Sequence, residues 1–254
     1  MPVEWIKRAV LEVQEYFKLL AQVARSLVTR PIYPRDIVEQ LDAIGIGSMT
    51  VVLLTGTFTG MVLALQSGLT LDQFGARSMV GRLVSASMVK ELGPVLTALM
   101  VTGRVGSGIA AELGSMVVTD QIAALRALGT DPIRKLVVPR VLAGLLMMPL
   151  LSILATAIGM VGGWVVTVLQ FHVASTTYWS SVVQGLYIQD VWMGLIKPIF
   201  LGFTIVTIGC HVGLRTTGGT QGVGNATKLS VVASSVAVIA VDFMVTKVLI
   251  VLMY

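Results

Sequence analysis

Two long stretches without a single charged side chain constrain the fold of this chain more than any other feature. Residues 43–71 contain no Asp, Glu, Lys or Arg, and residues 141–189 contain none either. A helix needs about 20 apolar residues to cross the hydrocarbon core of a bilayer. Because lipid offers the backbone no hydrogen bonds, and the alternating pattern of a membrane barrel is absent, these stretches are predicted to be helices. The predicted fold class is an all-α integral membrane protein.

The rest of the chain extends this pattern. Of the residues, 55% are hydrophobic and 12% are charged, and the charged fraction is about half that of a typical soluble domain. We place the transmembrane helices at about 44–67, 80–110, 140–170, 188–212 and 229–254. We expect a single domain, with an interfacial region at 1–42 and a transmembrane region at 43–254.

The N-terminal region has the pattern of an amphipathic helix. Apolar residues recur at steps of three and four, which places them on one helical face opposite the charges: Ile6, Val10, Val13, Phe17, Leu20, Ala24 and Leu27. Pro31 and Pro34 are predicted to end this helix. A helix lying in the cytoplasmic membrane interface is favoured because a span follows, and a coiled-coil or bundle helix is the alternative.

The distribution of basic residues predicts the orientation. Segments 1–42, 113–140 and 213–228 hold six, four and two Lys or Arg residues, whereas segments 68–79 and 171–187 hold only Arg77. Cytoplasmic loops carry the excess of basic residues. We therefore expect the N-terminus in the cytoplasm and the C-terminus outside. The net charge of +5 is explained by these loops and lipid headgroups, not by nucleic acid.

The loop between the second and third spans is predicted to contain a short cytoplasmic helix at about 119–130, begun by Thr119 or Asp120 and ended by Gly129 and Pro132. Its string AALRALGTDPIRKLVVP resembles the coupling segment of ABC permeases, although Ile122 replaces the usual acid before the Ala pair. An ordinary amphipathic connector is the alternative. The residues expected to contact an ATPase are Asp120, Gln121, Leu125, Arg126, Leu128 and Gly129.

No nucleotide, metal or catalytic site is predicted. The glycine-rich segment 218–228 lacks the Gly-Lys-Ser/Thr ending and the preceding strand of a phosphate-binding loop. His172 and His211 fall at different depths and cannot share a metal. We therefore expect a subunit that is not an enzyme and that holds no cofactor itself.

Charged residues inside spans are costly and usually functional. Lys90, Glu91, Lys197 and Asp242 are predicted at similar depth in the outer half of the membrane. They could form structural ion pairs, Lys197 with Asp242 and Lys90 with Glu91 or its neighbours, or they could line a cavity for a lipid headgroup. Pro94 indicates a helix break that could open such a cavity.

Near the inner end of the second span, two further charges invite an interpretation. Arg104 and Glu112 lie two turns apart and are expected to link the span to the coupling helix.

Glycines spaced four apart, in GTFTG at 56–60 and GMVGG at 159–163, are expected to let helices approach closely.

Residues 90–140, the segment GGTQGVGNATKLSVV at 218–232 and the acid at Asp242 together resemble the MlaE (YrbE) family of permeases. The resemblance implies a homodimer in the bacterial inner membrane that moves phospholipids between inner and outer membranes and maintains outer-membrane lipid asymmetry. It also implies a cytoplasmic ABC ATPase that binds ATP and Mg, a STAS-domain protein and a periplasmic hexamer of Mce-domain subunits.

Carried over residue by residue, the family's charged pocket falls on Lys90, Glu91, Lys197 and Asp242, with Lys90 where Arg is common. An alternative function is an ion- or proton-coupled secondary carrier that uses Glu91 and Asp242. Such carriers often have inverted repeats, and five spans do not divide into two halves. A lipid-modifying enzyme is a weaker alternative, because no catalytic set is present.

Overall fold

A computed structural model describes residues 2–28 and 33–253, and this described part of the chain consists of helices joined by short turns, without a strand. This confirms an all-α integral membrane protein. The helices are α1 (Pro2–Val28), α2 (Pro34–Leu41), α3 (Gly47–Asp72), α4 (Val80–Ser87), α5 (Gly93–Val101), α6 (Ser107–Val118), α7 (Gln121–Ala127), α8 (Val138–Phe171), α9 (Ser175–Gly185), α10 (Ile188–Leu214) and α11 (Gly219–Met253).

Four single π-helical turns join several of these helices into longer rods: π1 (Asp42–Ile46), π2 (Met88–Leu92), π3 (Thr102–Gly106) and π4 (Ile133–Val137). Within the described residues, five continuous rods are long and apolar enough to cross a membrane: Pro34–Asp72, Arg77–Val118, Ile133–Phe171, Ile188–Leu214 and Gly219–Met253. The number of spans is as predicted. All five rods are longer than the predicted spans, because hydropathy marks only the part of a helix that lies in hydrocarbon, and a helix can continue past it.

The start of the first rod differs from the prediction. Pro34 begins α2 instead of ending α1, and α2, π1 and α3 are continuous. Proline is tolerated at the first position of a helix because its missing N–H would have no partner there. Pro31 lies outside the described residues.

α1 divides its apolar residues between two surroundings. Leu19 and Val23 are buried against the rest of the protein, whereas Val10, Val13 and Phe17 are more than half exposed. The hydroxyl of Tyr16 lies 2.8 Å from the Thr207 hydroxyl in α10, and burial raises the pKa of Tyr16 above its ordinary value. An apolar face turned away from the protein fits a helix in the membrane interface.

α3 and α8 form a close parallel pair along their glycines. A Cβ on Gly60 would lie 1.9 Å from the Gly159 carbonyl oxygen, and one on Gly56 would lie 2.7 Å from that of Ala155. The expectation of close approach at these glycines is confirmed, and it concerns helices within one chain.

α9, between the third and fourth spans, was not predicted. Its Tyr178 is fully buried and donates a hydrogen bond of 2.8 Å to the Met160 carbonyl of α8. Burial raises the pKa of this hydroxyl well above its ordinary value, so it stays protonated and remains a donor. Trp164 donates a second bond, 2.8 Å long, to Ser175. These two bonds fasten α9 to the end of α8.

Candidate functional site: a buried lysine between two carboxylates

The regular α-helical hydrogen bonding of the second rod is interrupted at π2, the turn that carries Lys90 and Glu91. Pro94 follows two residues after π2 and has no N–H, so it cannot donate to the carbonyl of Lys90, four residues before it. The Nζ of Lys197, from α10, donates to that carbonyl at 2.9 Å. The break that Pro94 predicted is therefore present as a π turn, and a side chain from another helix satisfies the freed carbonyl.

The same ammonium group joins three elements. Lys197 is fully buried, its Nζ lies 2.6 Å from Glu91 Oε2 and 3.2 Å from Asp242 Oδ1 of α11, and it has three N–H donors to share. The contact with Asp242 lacks hydrogen-bond geometry, since Asp242 Oδ1 has no hydrogen-bond partner among the described residues. The predicted pairing of Lys197 with Asp242 is confirmed as an ionic contact.

We call Glu91, Lys197 and Asp242 the charged cluster. One cation faces two carboxylates, so the charged cluster has a formal charge of −1 with both acids ionised. The Glu91 side chain is 44% exposed, against 13% for Asp242 and none for Lys197. The charged cluster is therefore closed around the lysine and open at Glu91.

Lys90 belongs to a different contact. Its Nζ lies 2.8 Å from Oδ1 of Asp190, a fully buried carboxylate that also accepts a bond of 3.2 Å from the Tyr187 N–H at the start of α10. Lys90 was expected to pair with Glu91 or its neighbours; it pairs not with Glu91 but with Asp190. Adjacent residues on a helix point about 100° apart, so Lys90 and Glu91 face different neighbours and bind different partners.

Sequence reasoning missed Asp190, because it lies at a span boundary where charges are common. The sequence feature that could have revealed Asp190 is its position in the first turn of α10. A carboxylate there can accept hydrogen bonds from the free N–H groups at the start of the helix.

The inner half of the second rod also differs from expectation. Arg104 donates to the Ala43 carbonyl at 3.3 Å and to the Ser48 hydroxyl at 3.1 Å, while Glu112 lies 2.8 Å from Arg140. The expected Arg104–Glu112 link to the coupling helix is therefore wrong. Arg104 instead binds a carbonyl of π1 and so ties the second rod to the first.

Side-chain donors bind carbonyls in all four π turns. Besides Lys197 at π2 and Arg104 at π1, Ser230 donates to Gly106 in π3 at 2.9 Å and Arg140 donates to Leu136 in π4 at 2.6 Å. A π turn disturbs the regular backbone ladder, and in a membrane the freed carbonyl needs another donor. Several of the polar residues within the spans therefore hold the irregular turns in place.

The predicted coupling helix is present as α7, at Gln121–Ala127, and is shorter than predicted. Asp120 has a left-handed backbone, φ 57°, and makes no side-chain cap, while Gly129 follows with φ 74°. Ile122 is buried and Leu128 is 80% exposed. Of the predicted docking residues, Asp120, Gln121, Arg126, Leu128 and Gly129 are exposed and Leu125 is half-buried. The burial of Ile122 explains why an apolar residue stands there.

The histidines lie apart, as predicted. His172 ends α8 with φ 53°. The Nε2 of His211 lies 3.5 Å from Glu12 in α1. The described residues contain no group of three or more metal-ligating side chains.

Comparison with known proteins decides the family. The model of a protein family described as "Permease MlaE" matches residues 37–248. The chain belongs to the MlaE permease family. A probable ABC transporter permease protein of Rickettsia typhi is 42% identical over 92% of this chain and 90% of its own length. A probable ABC transporter permease protein of Synechocystis is 41% identical over 94% of this chain and 89% of its own length.

The intermembrane phospholipid transport system permease protein MlaE of Haemophilus influenzae is 35% identical over 98% of both chains. As an MlaE-family ABC permease, this chain is a transport subunit without its own ATPase site, and it works with an ATPase partner. That membership favours an ABC permease over the secondary-carrier alternative.

Proposed function

We propose that this chain is the membrane-spanning subunit of an ATP-driven transporter that moves phospholipids between the inner and outer bacterial membranes and so maintains outer-membrane lipid asymmetry. Family membership supports an ABC permease, and the phospholipid substrate is carried over from the Haemophilus influenzae relative. The observation that carries the proposal is the charged cluster, because it places polar groups with an open side among apolar spans.

The charged cluster is suited to a headgroup that donates hydrogen bonds. Glu91 is partly exposed, and Asp242 Oδ1 has no hydrogen-bond partner among the described residues. A headgroup amine or hydroxyl would bind the exposed Glu91 carboxylate, while the apolar spans accept acyl chains. An unpaired anion in the membrane is costly, so a donating headgroup would stabilise the charged cluster.

The assembly we propose follows the family. A homodimer in the inner membrane would bind a cytoplasmic ABC ATPase, which holds ATP and Mg, at α7. A STAS-domain protein would bind on the cytoplasmic side and a periplasmic Mce-domain hexamer on the other. In support of a dimer, α11 is the least buried of the five rods, and it carries Asp242 of the charged cluster.

The decisive test is lipid binding and ATP-dependent lipid transfer by the purified complex. Glu91→Gln removes the exposed charge of the charged cluster but keeps its shape, and we expect about tenfold less retained phospholipid and slower transfer, equivalent to about 1.4 kcal/mol. Glu39→Gln is the matched control, since Glu39 is 63% exposed and pairs only with Arg35 four residues away. Unchanged retention and transfer in Glu91→Gln would reduce the charged cluster to a structural ion pair.

A further inference from the structure

A small pocket lies on the flank of the molecule between α8, α10 and π2, apart from the charged cluster. Its volume is about 220 Å³, larger than the roughly 150 Å³ apolar cavities that bind benzene. We call it the lateral pocket. Its walls are mostly aliphatic and include Val89, Ile153, Ala157, Met160, Leu186 and Leu195.

The polar side chains in the wall have little to offer a polar ligand. The Thr156 hydroxyl donates to the Ser152 carbonyl at 2.8 Å, and Ser152 itself is 1% exposed. A headgroup or a cluster of waters would lose hydrogen bonds on entering such a space. The lateral pocket therefore selects hydrocarbon.

The position of the lateral pocket determines which hydrocarbon it meets. Ile153 and Val191, both in its wall, are more than a third exposed, so the pocket opens to the surroundings. Two wall residues, Leu186 and Val191, are followed in sequence by Tyr187 and Trp192, each of which is 53% exposed. Exposed Tyr and Trp side chains are enriched at the membrane–water interface. The opening therefore lies just inside the interface, where lipid acyl chains are the solvent.

We propose that the lateral pocket binds one acyl chain of a bilayer lipid, as a resident lipid distinct from any transported one. Val89 belongs to π2, and its carbonyl lies 2.7 Å from where a Cβ on Gly194 would stand. The bound chain thus packs against the turn that carries Lys90 and Glu91. The pocket does not depend on the proposed transport function.

Photo-crosslinking tests the occupant. The complete complex is incubated with a phospholipid that carries a diazirine in one acyl chain, washed extensively with detergent, illuminated and digested for mass spectrometry. The control position is Val161, which is 39% exposed and lies outside the pocket wall. We expect a phospholipid adduct at Ala157 and none at Val161. Equal lipid adducts at both positions, or no lipid adduct at Ala157, overturns the proposal.

A second measurement fills the pocket. Ala157→Trp places a ring where the chain would lie, and we expect about tenfold less tightly held phospholipid at this site, because several methylenes lose their contacts. Val161→Trp should leave it unchanged. The adduct at Ala157 should persist in Glu91→Gln. Loss of transport in Glu91→Gln with a persistent adduct supports both proposals, whereas unchanged transport with a persistent adduct contradicts only the proposed role of the charged cluster in binding the headgroup.

Discussion

Lys197 shows how one buried charge organises three parts of the molecule. Its Nζ contacts the Lys90 carbonyl, Glu91 and Asp242, which belong to π2 and α11. The proline at position 94 frees the first of these acceptors, and the two carboxylates provide the others. Removing one partner of a buried ion pair leaves an uncompensated charge and typically costs about 3–5 kcal/mol.

Lys197→Met is therefore expected to lower the unfolding free energy of the permease by about 3 kcal/mol, because Glu91 and a carbonyl lose their donor and Asp242 loses its ionic partner. Thermal unfolding of the purified protein in detergent measures this. Lys247→Met is the control, since Lys247 is exposed in the same rod as Asp242 and should stay within about 0.5 kcal/mol of wild type. Equal unfolding temperatures for the two variants would contradict the central place of Lys197.

At the scale of elements, the close pair of α3 and α8 depends on the absence of side chains. Helices associate in membranes where small residues let their backbones approach. The Gly60 position faces a backbone carbonyl, which cannot move aside as a flexible side chain could.

Gly60→Ala is expected to destabilise the protein by about 1–3 kcal/mol through overpacking. Gly224→Ala provides the opposite case, because a Cβ there meets nothing within 4 Å and helical alanine is favoured by about 0.5–1 kcal/mol over glycine. Thermal unfolding of both variants gives the comparison. Stabilisation by Gly60→Ala would show that α3 and α8 are farther apart than described.

α7 presents a short, exposed surface whose ends are held by two spans. Arg126→Glu reverses a charge on its exposed face, and we expect a co-purifying ATPase to be released at least about tenfold more readily, because like-charge contacts at an interface cost several kcal/mol. Arg35→Glu, at a side chain that is 91% exposed on α2, is the matched control. The measurement is the ATPase-to-permease ratio after affinity purification. A stoichiometric ratio in Arg126→Glu would move the docking site elsewhere.

For the molecule as a whole, α7 and α9 follow opposite ends of the spans, since one crossing separates the loops that contain them. The excess of Lys and Arg around α7 predicts that this end faces the cytoplasm. Cys210 is the one cysteine of the chain and is buried, so single cysteines can be introduced against a clean background.

With Cys210→Ala as the background, Ser180→Cys on α9 is expected to react with a membrane-impermeant maleimide in intact spheroplasts. Leu128→Cys, after α7, should react only once the membrane is permeabilised. Both side chains are exposed, so differences in labelling report the side of the membrane. The reverse pattern would invert the proposed orientation.

The sequence by itself determined the fold class, the number of spans, the presence of α7 and the four charged positions. Hydropathy and charge act locally along the chain, and a bilayer converts them directly into helices and depths. The MlaE resemblance also came from the sequence, and the family comparison confirmed it.

Only the tertiary structure decided which charges meet. The sequence predicted only that the four charged residues lie at similar depth. The direction in which each side chain leaves its helix pairs Lys90 with Asp190 and Glu91 with Lys197. The same is true of Arg104, which binds a carbonyl of π1 instead of serving the coupling helix. The pairing of charges depends on how each helix is rotated about its own axis and on where the π turns lie. Packing between rods that are distant in sequence sets both, so a local sequence pattern cannot predict them.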